Sequence, residues 1–245
     1  RRVLFRSASA INDNGIYIQD LDSVSILRNT IGNFVGSNAN NDKGIWLALG
    51  VRNTKVGFNR ITNLNYTGTN GNGSWGIYVS TGRASANNTI FNNLIANISG
   101  DGSNVTNVSN TLSNPCGILL TTNQSGINIF HNTINLYGNT LNKASAISAC
   151  VRLDTNSIAD IRNNIFVNRL GRLASGTVTG IASYGVFAAT SATQFFNLNY
   201  NNYHINASTA GLTNYFGRVG NTNSVDLPTW RTTSAREASG TAVMR

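Results

Sequence analysis

The chain has 245 residues, only 11% of them are charged, and Asn, Ser, Thr and Gly dominate its polar positions. This composition argues against a soluble helical protein, and two cysteines are too few for a disulfide framework. The formal charge of +9 falls to +6 without Arg1, Arg2 and Arg6. The other basic residues are scattered without a concentrated stripe, so we expect no nucleic acid partner.

The first seven residues, RRVLFRS, resemble the translation of a sequencing adapter, and we leave residues 1–7 out of the fold argument. Repeat-like sequence occupies residues 8–207, and residues 208–245 are expected to form a truncated terminal loop or tail. The sequence has no initiator Met and no long hydrophobic stretch. We therefore interpret it as an internal fragment without a membrane span.

Internal repetition is the strongest signal in the sequence. Segments of the type Gly-Ile-Tyr or Gly-Ile-Trp, with variants in the later copies, begin at Gly15, Gly44, Gly76, Gly117, Cys150 and Gly185. Each is followed by a second pattern in which Asn stands between two apolar residues, as in IFNNLI ending at Ile95. Apolar residues alternate with period two in both patterns, which predicts short strands with one buried face.

Repeats of this kind predict a stacked architecture, because one coil cannot bury its own apolar residues. We expect an all-β fold, a right-handed single-stranded parallel β-helix of about six coils with a short irregular or helical C-terminal tail. Stacking at about 4.8 Å would place equivalent residues in rows. One internal row is predicted to consist of Ile16, Ile45, Ile77, Ile118, Val151 and Val186.

A second row of asparagines is predicted at a sharp turn of each coil. Its members are Asn29, Asn59, Asn93, Asn132, Asn164 and Asn202. Asn tolerates the left-handed backbone conformation, and its amide can donate to the coil above while accepting from the coil below. We interpret this row as structural rather than functional.

Two further expectations concern the tail and the cysteines. Asp226 as N-cap, Pro228 in the first turn and Trp230 predict a short helix near the C-terminus. Cys116 and Cys150 fall in neighbouring coils but one position out of register, so their side chains should point to opposite faces. Free thiols are favoured over a disulfide.

The Gly-Ile-Tyr strand, the Asn turn and the coil length resemble the parallel β-helix repeats of the pectate-lyase-like superfamily, over roughly residues 10–206. These motifs specify fold better than activity, because the superfamily includes lyases, glycoside hydrolases, epimerases, adhesins and tail spikes. The resemblance implies a secreted or cell-surface bacterial protein. It also implies a substrate groove along the outer face of the first strand of each coil.

The outward positions of that first strand are the candidate ligand-binding residues. They are Tyr17, Trp46, Tyr78, Leu119, Arg152 and Phe187. Aromatic faces suit sugar rings, and Arg152 could bind a uronate carboxylate with two hydrogen bonds. The alternative is that long loops, such as the one over residues 99–116, cover these side chains to form a secondary apolar cluster.

A metal site is a weaker expectation. Asp13 and Asp42 each precede a Gly by two residues and should stack one coil apart, where they could hold calcium. Ordinary turn chemistry also explains Asp before Gly, and Lys43 lies beside the pair. We expect no other cofactor.

The sequence does not decide whether the chain is an enzyme, but it favours a non-catalytic function. A glycosidase needs paired carboxylates, whereas Asp20 and Asp154 would lie roughly 19 Å apart along the column. The acidic cluster of the superfamily's lyases and the motifs of its hydrolases are not found, and His131 and His204 fit surface or packing roles. We expect non-catalytic glycan binding, adhesion or scaffolding with a polysaccharide or glycan partner; the alternative is a truncated polysaccharide lyase or glycoside hydrolase.

Overall fold

The computed structural model describes residues 14–37, 41–104, 113–174 and 178–242. Three short strands make up each coil. The first three coils are β1 (Asn14–Ile18), β2 (Ser25–Leu27) and β3 (Thr30–Gly36); β4 (Lys43–Leu47), β5 (Lys55–Gly57) and β6 (Arg60–Tyr66); and β7 (Trp75–Val79), β8 (Asn88–Phe91) and β9 (Leu94–Ser99). The next three are β10 (Cys116–Leu120), β11 (Ile127–Phe130) and β12 (Thr133–Leu141); β13 (Ile147–Leu153), β14 (Ala159–Arg162) and β15 (Ile165–Arg172); and β16 (Ile181–Ala188), β17 (Phe195–Asn199) and β18 (Asn202–Ile205). The chain continues with β19 (Leu212–Val219), β20 (Thr222–Ser224), the helix α1 (Leu227–Ser234) and β21 (Thr241–Ala242).

The strands stack into three parallel sheets. The first sheet runs from β1 through β4, β7, β10, β13 and β16 to β19, with β20 added antiparallel at its edge. The second sheet contains β2, β5, β8, β11, β14 and β17, and the third contains β3, β6, β9, β12, β15, β18 and β21. The predicted all-β architecture, a parallel solenoid of about six turns with one short helix near the C-terminus, is confirmed.

The internal row of the first sheet follows the predicted register. Ile16 pairs with Ile45, Ile45 with Ile77, and Ile77 with Ile118. Val151 and Val186 continue the row. From Ile45 onwards every member is fully buried in the central core. Burial of this kind stabilises the column by about 25 cal/mol per Å² of apolar surface removed from water.

Connection lengths differ strongly between the three corners of a coil. The second and third strands are always joined by two residues, as at Arg28 and Asn29. The connections from the third strand to the next coil range from 5 to 16 residues. Insertions are therefore concentrated at one corner of the column, as the uneven repeat spacing predicts.

The buried asparagine ladder lies at the two-residue corner. From Asn29 to Asn164, each Nδ2 donates to the Oδ1 of the Asn in the next coil at 2.9 to 3.1 Å, and the backbone N–H of each donates to the same oxygen. The ladder consists of Asn29, Asn59, Asn93, Asn132, Asn164 and Asn201. The assignment of Asn202 was wrong by one residue, because Asn202 begins β18 and pairs with Ile165.

The left-handed residue of this corner is also not the ladder Asn itself. Positive φ angles fall on the preceding residue in each coil, namely Arg28, Phe58, Asn92, His131, Asn163 and Tyr200. The ladder Asn is instead selected by its buried hydrogen bonds, since an unpaired buried amide would cost about 1–3 kcal/mol.

The C-terminal segment packs against the sixth coil. The Asp226 carboxylate caps α1 by accepting from the N–H of Thr229 at 2.7 Å, as predicted, and Trp230 is fully buried. The Glu237 carboxylate ends the ladder by accepting from the N–H and Nδ2 of Asn201. Tyr203 donates its hydroxyl proton to the same carboxylate at 2.6 Å.

Candidate functional site

The predicted outward row of the first sheet exists as a continuous line of side chains. Tyr17 pairs with Trp46, and Trp46 pairs with Tyr78. The line continues through Leu119, Arg152 and Phe187, and Arg218 of β19 follows. One row thus crosses seven strands, but its two halves differ in exposure.

The N-terminal half of the row is open. Tyr17 is 47% exposed, and Trp46 and Tyr78 are partly exposed. The ring of Trp46 meets those of Tyr17 and Tyr78 edge to face, with centroids 4.8 and 5.5 Å away. The Trp46 indole N–H donates to Ser80 Oγ at 2.7 Å, which fixes the ring orientation. We call these three residues, Tyr17, Trp46 and Tyr78, the aromatic platform.

Lys43 places a cation at the platform. Its Nζ lies 4.8 Å from the ring centroid of Trp46, 5.1 Å from that of Trp75 and 5.7 Å from that of Tyr78. Trp75 stacks on Tyr78 with centroids 4.7 Å apart, and its indole N–H donates to the carbonyl of Asn114 at 3.0 Å. An ammonium group at aromatic faces is electrostatically attracted by them.

Strict alternation of inward and outward residues along the strand does not predict that Lys43 and Trp75 belong to this site. In both coils these residues precede the repeat glycine and pair with each other on the outer face. The glycine is turned inward, since a Cβ on Gly44 would lie 2.5 Å from Ile61 Cγ2. Because of this irregularity, the residue before the Gly-Ile pair and the residue after it both lie on the outer face of the sheet. The tryptophan directly before Gly76 was the available sequence signal.

The C-terminal half of the row is covered. Leu119 and Phe187 are buried in a second apolar cluster, and Arg152 is only 2% exposed. The Arg152 guanidinium lies 4.8 Å from the Phe187 ring centroid, with Nη2 3.5 Å from Asp154 Oδ1. Burial lowers the pKa of Arg152 to about 10, while Asp154 opposes the shift. These residues therefore offer no open surface to a sugar carboxylate.

Asp42 and Asp154 are both buried rather than exposed at the open half of the row. Asp13 lies outside the described residues; Asp42 is buried, and its backbone carbonyl accepts from the N–H of Trp75. Asp154 is buried against Arg152. Over residues 14–37, 41–104, 113–174 and 178–242, no group of three or more His, Cys, Asp or Glu could hold a metal ion.

Both cysteines are buried and free. Cys116 lies in the second apolar cluster and Cys150 in the central core, so they point to opposite faces as predicted. Burial raises the pKa of Cys116 to about 12 and raises that of Cys150 well above its usual value. A protonated buried thiol is a poor nucleophile, so neither residue is a candidate catalytic group.

A separate cleft of about 420 Å³ lies beside the variable corner of the column. Its lining combines Tyr137 with the amides of Asn65, Asn97 and Asn142. Asp101 also lines it; its carboxylate accepts from the N–H groups of Gly71 and Asn72 in the loop before β7 and lies 3.6 Å from the Lys143 ammonium. This carboxylate orders the loop rather than facing a second carboxylate.

Within the described part of the chain, no helix combines the length and apolar character needed to cross a membrane. Comparison with protein-family models, curated proteins and solved structures finds no match to this chain.

Proposed function

We propose that the chain is part of a secreted or cell-surface β-helix protein, related to the pectate-lyase-like superfamily, that binds acidic glycans without converting them. The observation that carries the proposal is the open aromatic platform with the Lys43 ammonium at its ring faces. Aromatic faces accept the C–H faces of sugar rings, and an ammonium group attracts a carboxylate.

The shape of the platform suits an extended ligand. Its three rings follow one another along the axis of the column, with centroids 4.8 and 5.5 Å apart, close to the spacing of stacked strands. A polysaccharide lying along this axis would contact successive rings and would have its carboxylate next to Lys43. The positive formal charge of the chain adds a weak, salt-sensitive attraction to an acidic polymer.

Two variants of the platform test the proposal in a native gel containing polygalacturonate. Trp46→Ala removes the central ring, and we expect the apparent affinity to fall at least about tenfold, a loss of ~1.4 kcal/mol. Lys43→Met keeps most of the side-chain length and should weaken retention by polygalacturonate more than retention by a neutral glucan. Phe196→Ala is the matched control, since Phe196 is an exposed aromatic residue of β17 in the second sheet.

Equal retention of wild type and Trp46→Ala by polygalacturonate would refute the proposal. The same samples test the enzymatic alternative through release of reducing ends, with added calcium or chelator. Calcium-dependent release by the wild-type chain would favour a lyase and would revive the Asp13 and Asp42 hypothesis.

A further inference from the structure

The two-residue corner carries an exposed apolar edge outside the asparagine ladder. Three rows meet there: the last residues of the second sheet, the left-handed turn residues, and the first residues of the third sheet. We call their apolar members the corner ridge. They are Leu27, Phe58, Phe91, Leu94, Phe130, Ile165 and Tyr200, all exposed or partly exposed.

Two members of the ridge adopt a backbone conformation that disfavours them. Phe58 has φ 56° and is 49% exposed, and Tyr200 has φ 61° and is 57% exposed. Asn, which tolerates this region best after Gly, occupies the same turn position at Asn92 and Asn163. Phe58 meets Phe91 edge to face with ring centroids 5.2 Å apart, but about half of Phe58 and of Tyr200 stays exposed, so contacts within the chain offset the local strain only in part. Such a conflict between local preference and residue choice indicates an interaction site.

The charges of the three rows have one sign. They contain Arg28, Arg60 and Arg162 and no carboxylate. Arg28 lies 5.7 Å from the ring centroid of Phe58. Arg162 forms a bidentate pair with Asp160, two residues earlier in the second sheet, which offsets its charge. The corner ridge is therefore apolar and aromatic, with Arg28 and Arg60 as its cationic flank.

We propose that the corner ridge is a peripheral binding edge for an anionic lipid surface. Exposed Phe, Leu, Ile and Tyr side chains can enter the headgroup region, while arginines contact lipid phosphates. A second copy of the chain fits less well, because a protruding edge a few side chains wide cannot bury the ~800 Å² per partner typical of stable dimers.

This inference is independent of the glycan proposal, since it rests on different residues. The ridge lies where the second and third sheets meet, and the aromatic platform belongs to the first sheet. In a three-sided column that corner is opposite the first sheet. Contact with lipid would leave the platform open to solvent.

Co-sedimentation with vesicles tests the inference on the full chain. The probes are vesicles of phosphatidylcholine alone and vesicles of phosphatidylcholine mixed with phosphatidylglycerol. The test variant is the double change Phe58→Asn and Tyr200→Asn, which installs the residue found at the same turn in other coils and should therefore fold. Leu49→Asn is the control, because Leu49 is exposed in the turn between the first and second sheets.

We expect the wild type and the control to bind the anionic vesicles and to release them as salt rises. The double variant should bind at least about tenfold more weakly and unfold at an equal or higher temperature. Three results would overturn the inference: no wild-type binding, equal binding by the double variant, or a concentration-dependent dimer that the double variant abolishes without any vesicle binding. Retention by polygalacturonate should be unchanged in the double variant, which separates this result from failure of the glycan proposal.

Discussion

The two halves of the outward row on the first sheet occupy equivalent positions but have opposite environments. Tyr17, Trp46 and Tyr78 form an open platform, whereas Arg152 and Phe187 lie under cover. Register alone therefore does not determine whether a row of a β-helix can bind a ligand. What lies beside the row, along each strand and at its ends, decides whether the side chains remain accessible.

Longer strands in the fifth and sixth coils and a hairpin help to cover the C-terminal half of the row, although β10, which carries the buried Leu119, is no longer than β7. Strands β1, β4, β7 and β10 have five residues each, whereas β13 has seven and β16 has eight. The additional outward residues join the second apolar cluster. At the end of the sheet, Tyr184 donates its hydroxyl proton to Asn223 Oδ1 at 3.2 Å, and Arg218 lies 5.2 Å from the Phe187 ring centroid. Both contacts come from the β19–β20 hairpin.

Thiol reactivity should show the largest difference between the two halves. Cys116 and Cys150 are buried with raised pKa values, so a disulfide reagent at pH 8 should modify them only through unfolding. A Tyr17→Cys variant places a third thiol on the open platform, where it should react orders of magnitude faster. Stopped-flow detection of the released thiolate measures both phases. Reaction of Cys116 in the same fast phase as the introduced thiol would contradict the burial of the covered half.

Replacing an aromatic residue of the row by Ala should cost more stability in the covered half than in the open half. Phe187→Ala should lower the free energy of unfolding by about 3–5 kcal/mol, because it leaves a cavity between packed side chains. Tyr17→Ala removes a half-exposed ring and should cost less than about 1 kcal/mol. Chemical denaturation of both variants measures the contrast. Similar losses of stability in the two variants would show that Phe187 is not enclosed by packed side chains.

The smallest expected effect comes from the carboxylate that ends the asparagine ladder. Burial raises the pKa of Glu237, against the opposing hydrogen bonds from Tyr203 and Asn201. A pKa raised by folding means that protonation favours the folded state, so this group's contribution to stability decreases as pH rises through that pKa. Glu237→Gln is neutral, and its amide oxygen can accept from Asn201 as the ladder amides do, while the Tyr203 hydroxyl loses its acceptor. Removal of the buried charge should outweigh that loss and raise the unfolding midpoint by a few degrees at pH 7.

The pH dependence of this difference provides the check. Thermal unfolding of wild type and Glu237→Gln between pH 7 and pH 4 should show the advantage of the variant shrinking as Glu237 becomes protonated. Comparing the two chains removes the contributions of Asp22 and Asp226, whose pKa values are lowered by hydrogen bonds. An advantage that grows on acidification would mean that the carboxylate stabilises the fold in its ionised form.

Much of the column can be predicted from the sequence because its strongest constraints repeat. The row from Ile16 to Val186 follows from period-two alternation and a fixed strand spacing, and five ladder asparagines were placed correctly. The sixth was displaced because the NYNNYH segment contains adjacent asparagines. Only the observed pairing of Asn202 with Ile165 decides which one turns inward.

The environment of the candidate site is harder to predict, because it depends on contacts that do not repeat. The burial of Arg152 results from its contacts with Asp154 and Phe187 and from the hairpin of a later coil. Likewise, Lys43 reaches the platform only because the backbone is irregular at Gly44. Neither feature leaves a periodic signal in the sequence, whereas the aromatic row does.

Chemical-shift mapping by NMR shows directly whether only the open half of the row binds glycan. A galacturonate oligosaccharide is titrated into isotope-labelled protein, and the backbone amides of the first sheet are followed. We expect the shifts to concentrate in β1, β4 and β7, around Tyr17, Trp46 and Tyr78, and to disappear in Trp46→Ala. Shifts concentrated in β10, β13 and β16, or no shifts at saturating ligand, would contradict it.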